Sequence, residues 1–185
     1  MEGRLEAALR DVISFLDEHG YKYALIGGIA LAQWGVIRAT YDADIKVQAP
    51  ENDYWRARAE IRHTFPEQAR PELPTNSLIV ALSVRGMTVD LLLALPGYEE
   101  LIIERASARD LGGWTANVCS AEDLIIQKAV AGRDKDWLDV RALLLEQHNS
   151  LDYGYIQFWL DQFADALESE EILARFSELR REAGE

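Results

Sequence analysis

Between Leu25 and Val47 the chain reads LIGGIALAQWGVIRATYDADIKV, and few folds accommodate residue types in that order. An apolar run suited to a buried strand ends in the pair Gly27-Gly28, and a short helical run follows to about Gly35. After Tyr41, polar Asp42, Asp44 and Lys46 alternate with apolar Ala43, Ile45 and Val47, the period of a half-buried strand. Residues two apart on a strand share a face and stand about 6–7 Å apart along the chain. Two carboxylates on one face, beside a phosphate-sized glycine turn, suggest a divalent-metal site for phosphoryl chemistry.

The rest of the chain limits what such a site can serve. At 185 residues it is long enough to bury a substantial core in one domain, with room for a small helical extension. The single cysteine, Cys119, rules out an internal disulfide and fits a cytosolic, reducing compartment. The N-terminal MEGRLEAALRDV is charged and amphipathic, unlike a secretory signal, and no apolar run approaches the roughly 20 residues that span a bilayer. A formal net charge of −13 argues against broad, charge-driven binding to nucleic acid, which needs a basic footprint. It leaves room for a nucleotide, whose phosphates need only a few local cations and metal. Part of the acidity lies between Glu146 and Glu185, where ten acids face three bases, the composition of solvated outer helix faces.

Periodicity places the remaining elements. Leu5, Ala8, Leu9, Val12, Ile13 and Leu16 have helical spacing, and Gly20 stops that helix. Residues 52–63 read as a charged helix. Residues 66–76, with three of the five prolines, read as a loop. Residues 78–84 and 87–93 are apolar strands joined by Arg85-Gly86, a hairpin, and Val118 ends another short strand. Ser120-Ala121-Glu122-Asp123 opens a helix in the manner of a capping box. Gly132 interrupts its pattern before Asp136 to Gln147 resumes it. Two final helices, about 152–167 and 169–182, carry a packing stripe of Tyr155, Trp159, Leu167, Leu173, Phe176 and Leu179.

Several residues bear on the candidate site. Asp90 is a lone acid within the apolar strand MTVDLLL, and a buried acid is costly unless it is paired or binds a metal. Gly27 and Gly28 allow backbone amides to come close to a phosphate. Arg38 and Thr40 immediately precede the acids; Arg38 is suited to a phosphate, to orienting Asp42, or to a structural ion pair. Lys46, on the acid face, is suited to pairing with Asp44 or to holding phosphate. The histidines His19, His63 and His148 lack ligand spacing and give no zinc site.

The segment GGIALAQWGVIRATYDADIKV resembles the signature of the DNA polymerase beta-like nucleotidyltransferase superfamily, in which a Gly-Gly or Gly-Ser turn precedes Asp-x-Asp. The spelling Gly-Gly-x-Ala followed by Gly-x-x-Arg-x-Thr-x-Asp-x-Asp is similar to the AbiEii-type and MenT-like branch. So is SAEDLIIQKAVAGRDKDWLDVRALL, where a Glu-Asp-Leu-Ile helix leads to a lysine and then to Arg-x-Lys-Asp. The resemblance spans about residues 20–147. It implies an α/β (α+β) fold, a mixed nucleotidyltransferase-type sheet flanked by helices with a small helical C-terminal part. It divides the chain into a nucleotidyltransferase domain, 1–147, and a helical extension packed on it, 148–185.

Carried over residue by residue, the resemblance implies that Gly27 and Gly28 contact nucleotide phosphates and that Asp42 and Asp44 hold Mg²⁺ or Mn²⁺. It makes Asp90 a third metal ligand or the base for the acceptor hydroxyl. It also implies that Lys128 neutralises triphosphate charge and that Asp136 matches a later acid of the branch whose role stays open, while Arg38 and Thr40 are read as part of the nucleotide site from their place just before the acids. The implied reaction is transfer of NMP from an NTP to an acceptor, RNA or protein in a toxin–antitoxin or phage-defence setting. The alternatives are an enzyme acting on a small molecule such as an antibiotic, and a non-catalytic binding module that keeps the fold.

Overall fold

The structure, a computed structural model, describes residues 3–69 and 78–184. The chain forms two compact units, Met1–Ile29 with Ala39–Cys119, and Ala30–Arg38 with Ser120–Glu185.

The first unit holds the sheet. Helix α1 (Gly3–Glu18) buries the predicted positions Leu5, Ala8, Leu9, Val12, Ile13 and Leu16 against strands of that sheet. The strands are β1 (Lys22–Ile26), β2 (Asp42–Gln48), β3 (Ile79–Val84), β4 (Met87–Leu93), β5 (Ser107–Asp110) and β6 (Thr115–Val118). Their order is β3-β4-β2-β1-β6-β5. β2 runs parallel to β4 and antiparallel to β1, so the sheet is mixed, as the sequence predicts. β3 and β4 form the predicted hairpin, with positive φ at both Arg85 (52°) and Gly86 (74°). Two left-handed residues in a two-residue loop match the twist of the strands they join.

Helix α3 (Tyr54–Thr64) follows β2 and is capped by Asp53, whose side chain accepts from the Arg56 amide at 3.0 Å. Of the predicted loop 66–76, positions 70–76 lie outside the described residues. Its first residues pair with β3 instead of looping: Gln68 N donates to Ala81 O at 2.8 Å and Ser83 N to Pro66 O at 3.0 Å. Helix α4 (Tyr98–Glu104) and strand β5 carry no strong periodicity in the sequence and emerge only here. α4 is tied to β2 by side chains, with Gln48 Nε2 donating to Glu100 Oε1 at 3.1 Å.

The second unit is helical. It comprises most of α2 (Gly27–Gln33), then α5 (Ala121–Ala131), α6 (Asp134–Gln147), α7 (Tyr153–Ala166) and α8 (Glu171–Glu182). Ser120 caps α5 as predicted, its Oγ accepting from the Asp123 amide at 3.0 Å and donating to the Asp123 carboxylate at 2.7 Å. The packing stripe of α7 is shifted by one residue from the prediction. Ile156, Leu160 and Ala164 are buried, while Tyr155 and Trp159 lie beside them in partial exposure. Two i, i+4 ladders overlap in this sequence, and the compact aliphatic one packs inward. Leu167, beyond the helix end, is 54% exposed. Among the described residues no helix is long and apolar enough to cross a membrane.

Candidate active site

The sheet brings the three predicted acids together. Asp44 on β2 is in register with Asp90 on β4 and with Ile26 on β1, and Asp42 is in register with Thr88. Registered residues on adjacent strands point to the same side, with strands about 4.8 Å apart. Asp42, Asp44 and Asp90 therefore share one face. Burial deepens across the set: Asp42 is exposed, Asp44 half-buried, and Asp90 only 7% exposed. The opposite face carries Ala43, Ile45, Val47, Val89 and Leu91, each fully buried. The alternation fixes the acids by elimination, because a one-residue slip would put apolar side chains where the acids stand.

The glycine pair follows directly after β1 and forms the first turn of α2, two residues earlier than the sequence suggests. Gly27 has φ of 64°, and a Cβ there would lie 2.1 Å from Oδ2 of Asp44. A Cβ on Gly28 would lie 2.2 Å from Oγ1 of Thr40. The missing side chains are thus the seats of Asp44 and Thr40. Thr40 Oγ1 is buried with no hydrogen-bond partner among the described residues, an arrangement that costs about 1–3 kcal/mol unless a ligand or water completes it.

Further along the acid face, Lys46 is 4% exposed. Its Nζ donates to Glu99 Oε1 at 2.6 Å, and Glu99 Oε2 accepts from the Leu95 amide at 2.8 Å. Nothing in the local sequence pattern identifies Glu99, which reaches this lysine from α4.

The remaining predicted residues, Arg38, Lys128 and Asp136, converge in the helical unit, together with Arg133, the arginine of the Arg-x-Lys-Asp motif, and Asp139, which the sequence does not single out. Lys128 Nζ donates to Asp139 Oδ2 at 2.6 Å and to Asp136 Oδ1 at 3.3 Å. Arg38 Nε lies 3.4 Å from Asp139 Oδ1. Arg133 grips Asp136 through Nε and through Nη2, the latter at 3.3 Å. Burial alone would raise the Asp136 carboxyl. The Arg133 hydrogen bond and the Lys128 and Arg133 charges outweigh that, and it is held below the ordinary aspartate value. The available signal for Asp139 was its place one turn after Asp136 on the same helix, where side chains become neighbours.

Among the described residues no three His, Cys, Asp or Glu side chains converge closely enough to hold a metal ion alone. Mg²⁺ makes no such demand, since it is commonly held by one or two carboxylates with substrate phosphates and water. Hard carboxylate oxygens on one sheet face, with the Asp44 carboxylate seated against Gly27, fit that chemistry.

This arrangement of strands and helices is a nucleotidyltransferase fold. An antigenic nucleotidyltransferase-like protein from Paracoccidioides brasiliensis superimposes with a TM-score of 0.61 at 14% identity, over 95% of this chain and 93% of its own. The antibiotic-resistance factor ANT(2'')-Ia, in its solution structure, matches with a TM-score of 0.59 at 16% identity, over 91% of this chain and 95% of its own. Its crystal structure in complex with adenylyl-2''-tobramycin gives 0.54 at 15% identity, over 86% and 96%. No curated protein matches the sequence. The chain belongs to the family described as "Nucleotidyl transferase of unknown function (DUF2204)", whose profile matches residues 5–178.

Proposed function

We propose that the protein is a Mg²⁺- or Mn²⁺-dependent nucleotidyltransferase that moves NMP from an NTP to a hydroxyl acceptor. The observation that carries this reading is the lateral register of Asp44 with Asp90, with Asp42 on the same face. In the reaction an acceptor oxygen bonds to the α-phosphorus, the bond from that phosphorus to the pyrophosphate oxygen breaks, and the hydroxyl proton passes to Asp90. Asp42 and Asp44 would hold the metal, which when bound would neutralise phosphate charge. The orphaned Thr40 hydroxyl donates to a phosphate oxygen, and Gly27 and Gly28 let the nucleotide phosphates approach the backbone. Arg38 and Lys128 supply cations for the phosphates, and Asp136 holds Lys128 and Arg133.

Two acceptor classes have support. The AbiEii-type resemblance favours RNA or protein in a toxin–antitoxin or phage-defence setting. A small-molecule acceptor is supported by the shared fold of ANT(2'')-Ia, which was captured with adenylyl-2''-tobramycin. The test is incubation with each α-³²P-labelled NTP and Mg²⁺, offering bulk RNA, cell protein or aminoglycosides. Label should move to one acceptor class with release of pyrophosphate, and Asp44→Ala should abolish transfer while keeping the fold. Near-normal transfer by Asp44→Ala contradicts the mechanism.

A further inference from the structure

Five charged side chains of the helical unit form one chain of contacts, Arg38–Asp139–Lys128–Asp136–Arg133. Its acids lie inside and its arginines outside. The side chains of Asp136 and Asp139 are 2% and 9% exposed, whereas those of Arg38 and Arg133 are 43% and 62% exposed. Three cations and two carboxylates make up this chain of contacts, and its two exposed ends are guanidinium groups. Lys128 uses two of its three N–H donors on the acids. An incoming anion therefore meets the exposed guanidinium groups of Arg38 and Arg133, with Lys128 buried between the two acids. The two acids divide this work. Asp136 serves Lys128 and Arg133, and among the described residues Asp139 bridges Lys128 to Arg38.

We propose that Asp139 is a positioning residue that holds Arg38 and Lys128 together as one preorganised phosphate-binding pair. The proposal deepens the nucleotidyltransferase reading and rests on it. Asp139 touches no substrate in this account. It acts by removing the conformational freedom of two long cationic side chains before the ligand arrives, which lowers the cost of binding. Arg38 benefits more than Lys128, because its side chain is 43% exposed while Lys128 is held by Asp136 as well. A contrary role is physically available: a carboxylate beside Arg38 competes with phosphate for the guanidinium and weakens binding. The two roles predict opposite signs.

The experiment is calorimetric titration of the full chain with each NTP in Mg²⁺, for wild type, Asp139→Asn, Arg38→Met and the double variant, alongside steady-state transfer. Asp139→Asn should weaken NTP binding about tenfold and raise KM far more than it lowers kcat. The double variant should bind no worse than the weaker single variant, since both substitutions remove one unit. Unchanged or tighter binding by Asp139→Asn, or fully additive losses in the double variant, overturns the proposal alone. Wild-type protein that binds no NTP overturns the functional reading and the proposal with it. Should Asp139→Asn fail to fold, Arg38→Lys replaces it. Lysine keeps the charge but loses the guanidinium Nε that meets Asp139 at 3.4 Å, so NTP binding should weaken several-fold, and wild-type affinity there overturns the proposal.

Discussion

At Gly27 a single methyl group would decide whether the site exists. Its Cβ would press on the Asp44 carboxylate at 2.1 Å, and the backbone φ of 64° disfavours any L side chain. Gly27→Ala should destabilise the fold by about 1–3 kcal/mol and reduce transfer at least tenfold, measured by urea unfolding and initial rates. Gly28 has ordinary φ, and alanine in a helix gains about 1 kcal/mol over glycine. Here that gain is opposed by Thr40 Oγ1 at 2.2 Å from the new Cβ. Gly28→Ala/Thr40→Ala should therefore melt higher than Gly28→Ala alone. A lower melting point for the double variant would show that Thr40 is not what excludes a side chain at position 28.

The elements show what a sequence can announce. β2 was legible because strict alternation leaves one choice of face, and α1 because its apolar positions recur at helical spacing. The β3–β4 hairpin was legible from a two-residue loop ending in glycine. α4 was not, being short and packed on strands far away in the chain, and neither was β5, a four-residue edge strand paired with the neighbouring β6. The one-residue shift on α7 has a similar origin: periodicity offered two ladders, and tertiary packing selected the aliphatic one. The shared face of Asp42, Asp44 and Asp90 was legible from strand period and from an acid out of place in an apolar run. Glu99 was not, because its partner Lys46 lies 53 positions away. The cap of α5 offers a test at this scale. Ser120 serves both the Asp123 amide and its carboxylate, which also accepts from Tyr155 Oη at 2.9 Å. Ser120→Ala should cost about 1–2 kcal/mol, read from the urea midpoint; a loss below a few tenths would mean that the cap is dispensable.

For the whole molecule, pH reports on the buried charge network. The Asp136 carboxyl titrates below its ordinary value of 3.8, so its ionised form is favoured by folding. The stability that it contributes is complete above the unfolded value and is lost as pH falls from about 3.8 through the lower folded value. The gap in urea midpoint between wild type and Asp136→Asn should therefore be wide at neutral pH and narrow in acid; a gap independent of pH contradicts the assignment. The central claim is that the acid face of β2 and β4 works with metal on a nucleotide. The most direct measurement is calorimetric binding of the four NTPs with and without Mg²⁺, to wild type and to Asp42→Ala/Asp44→Ala. Mg²⁺-dependent binding of an NTP by wild type, lost in the double variant, is the predicted result. Binding that survives in the variant, or no binding of any NTP by wild type, would contradict it.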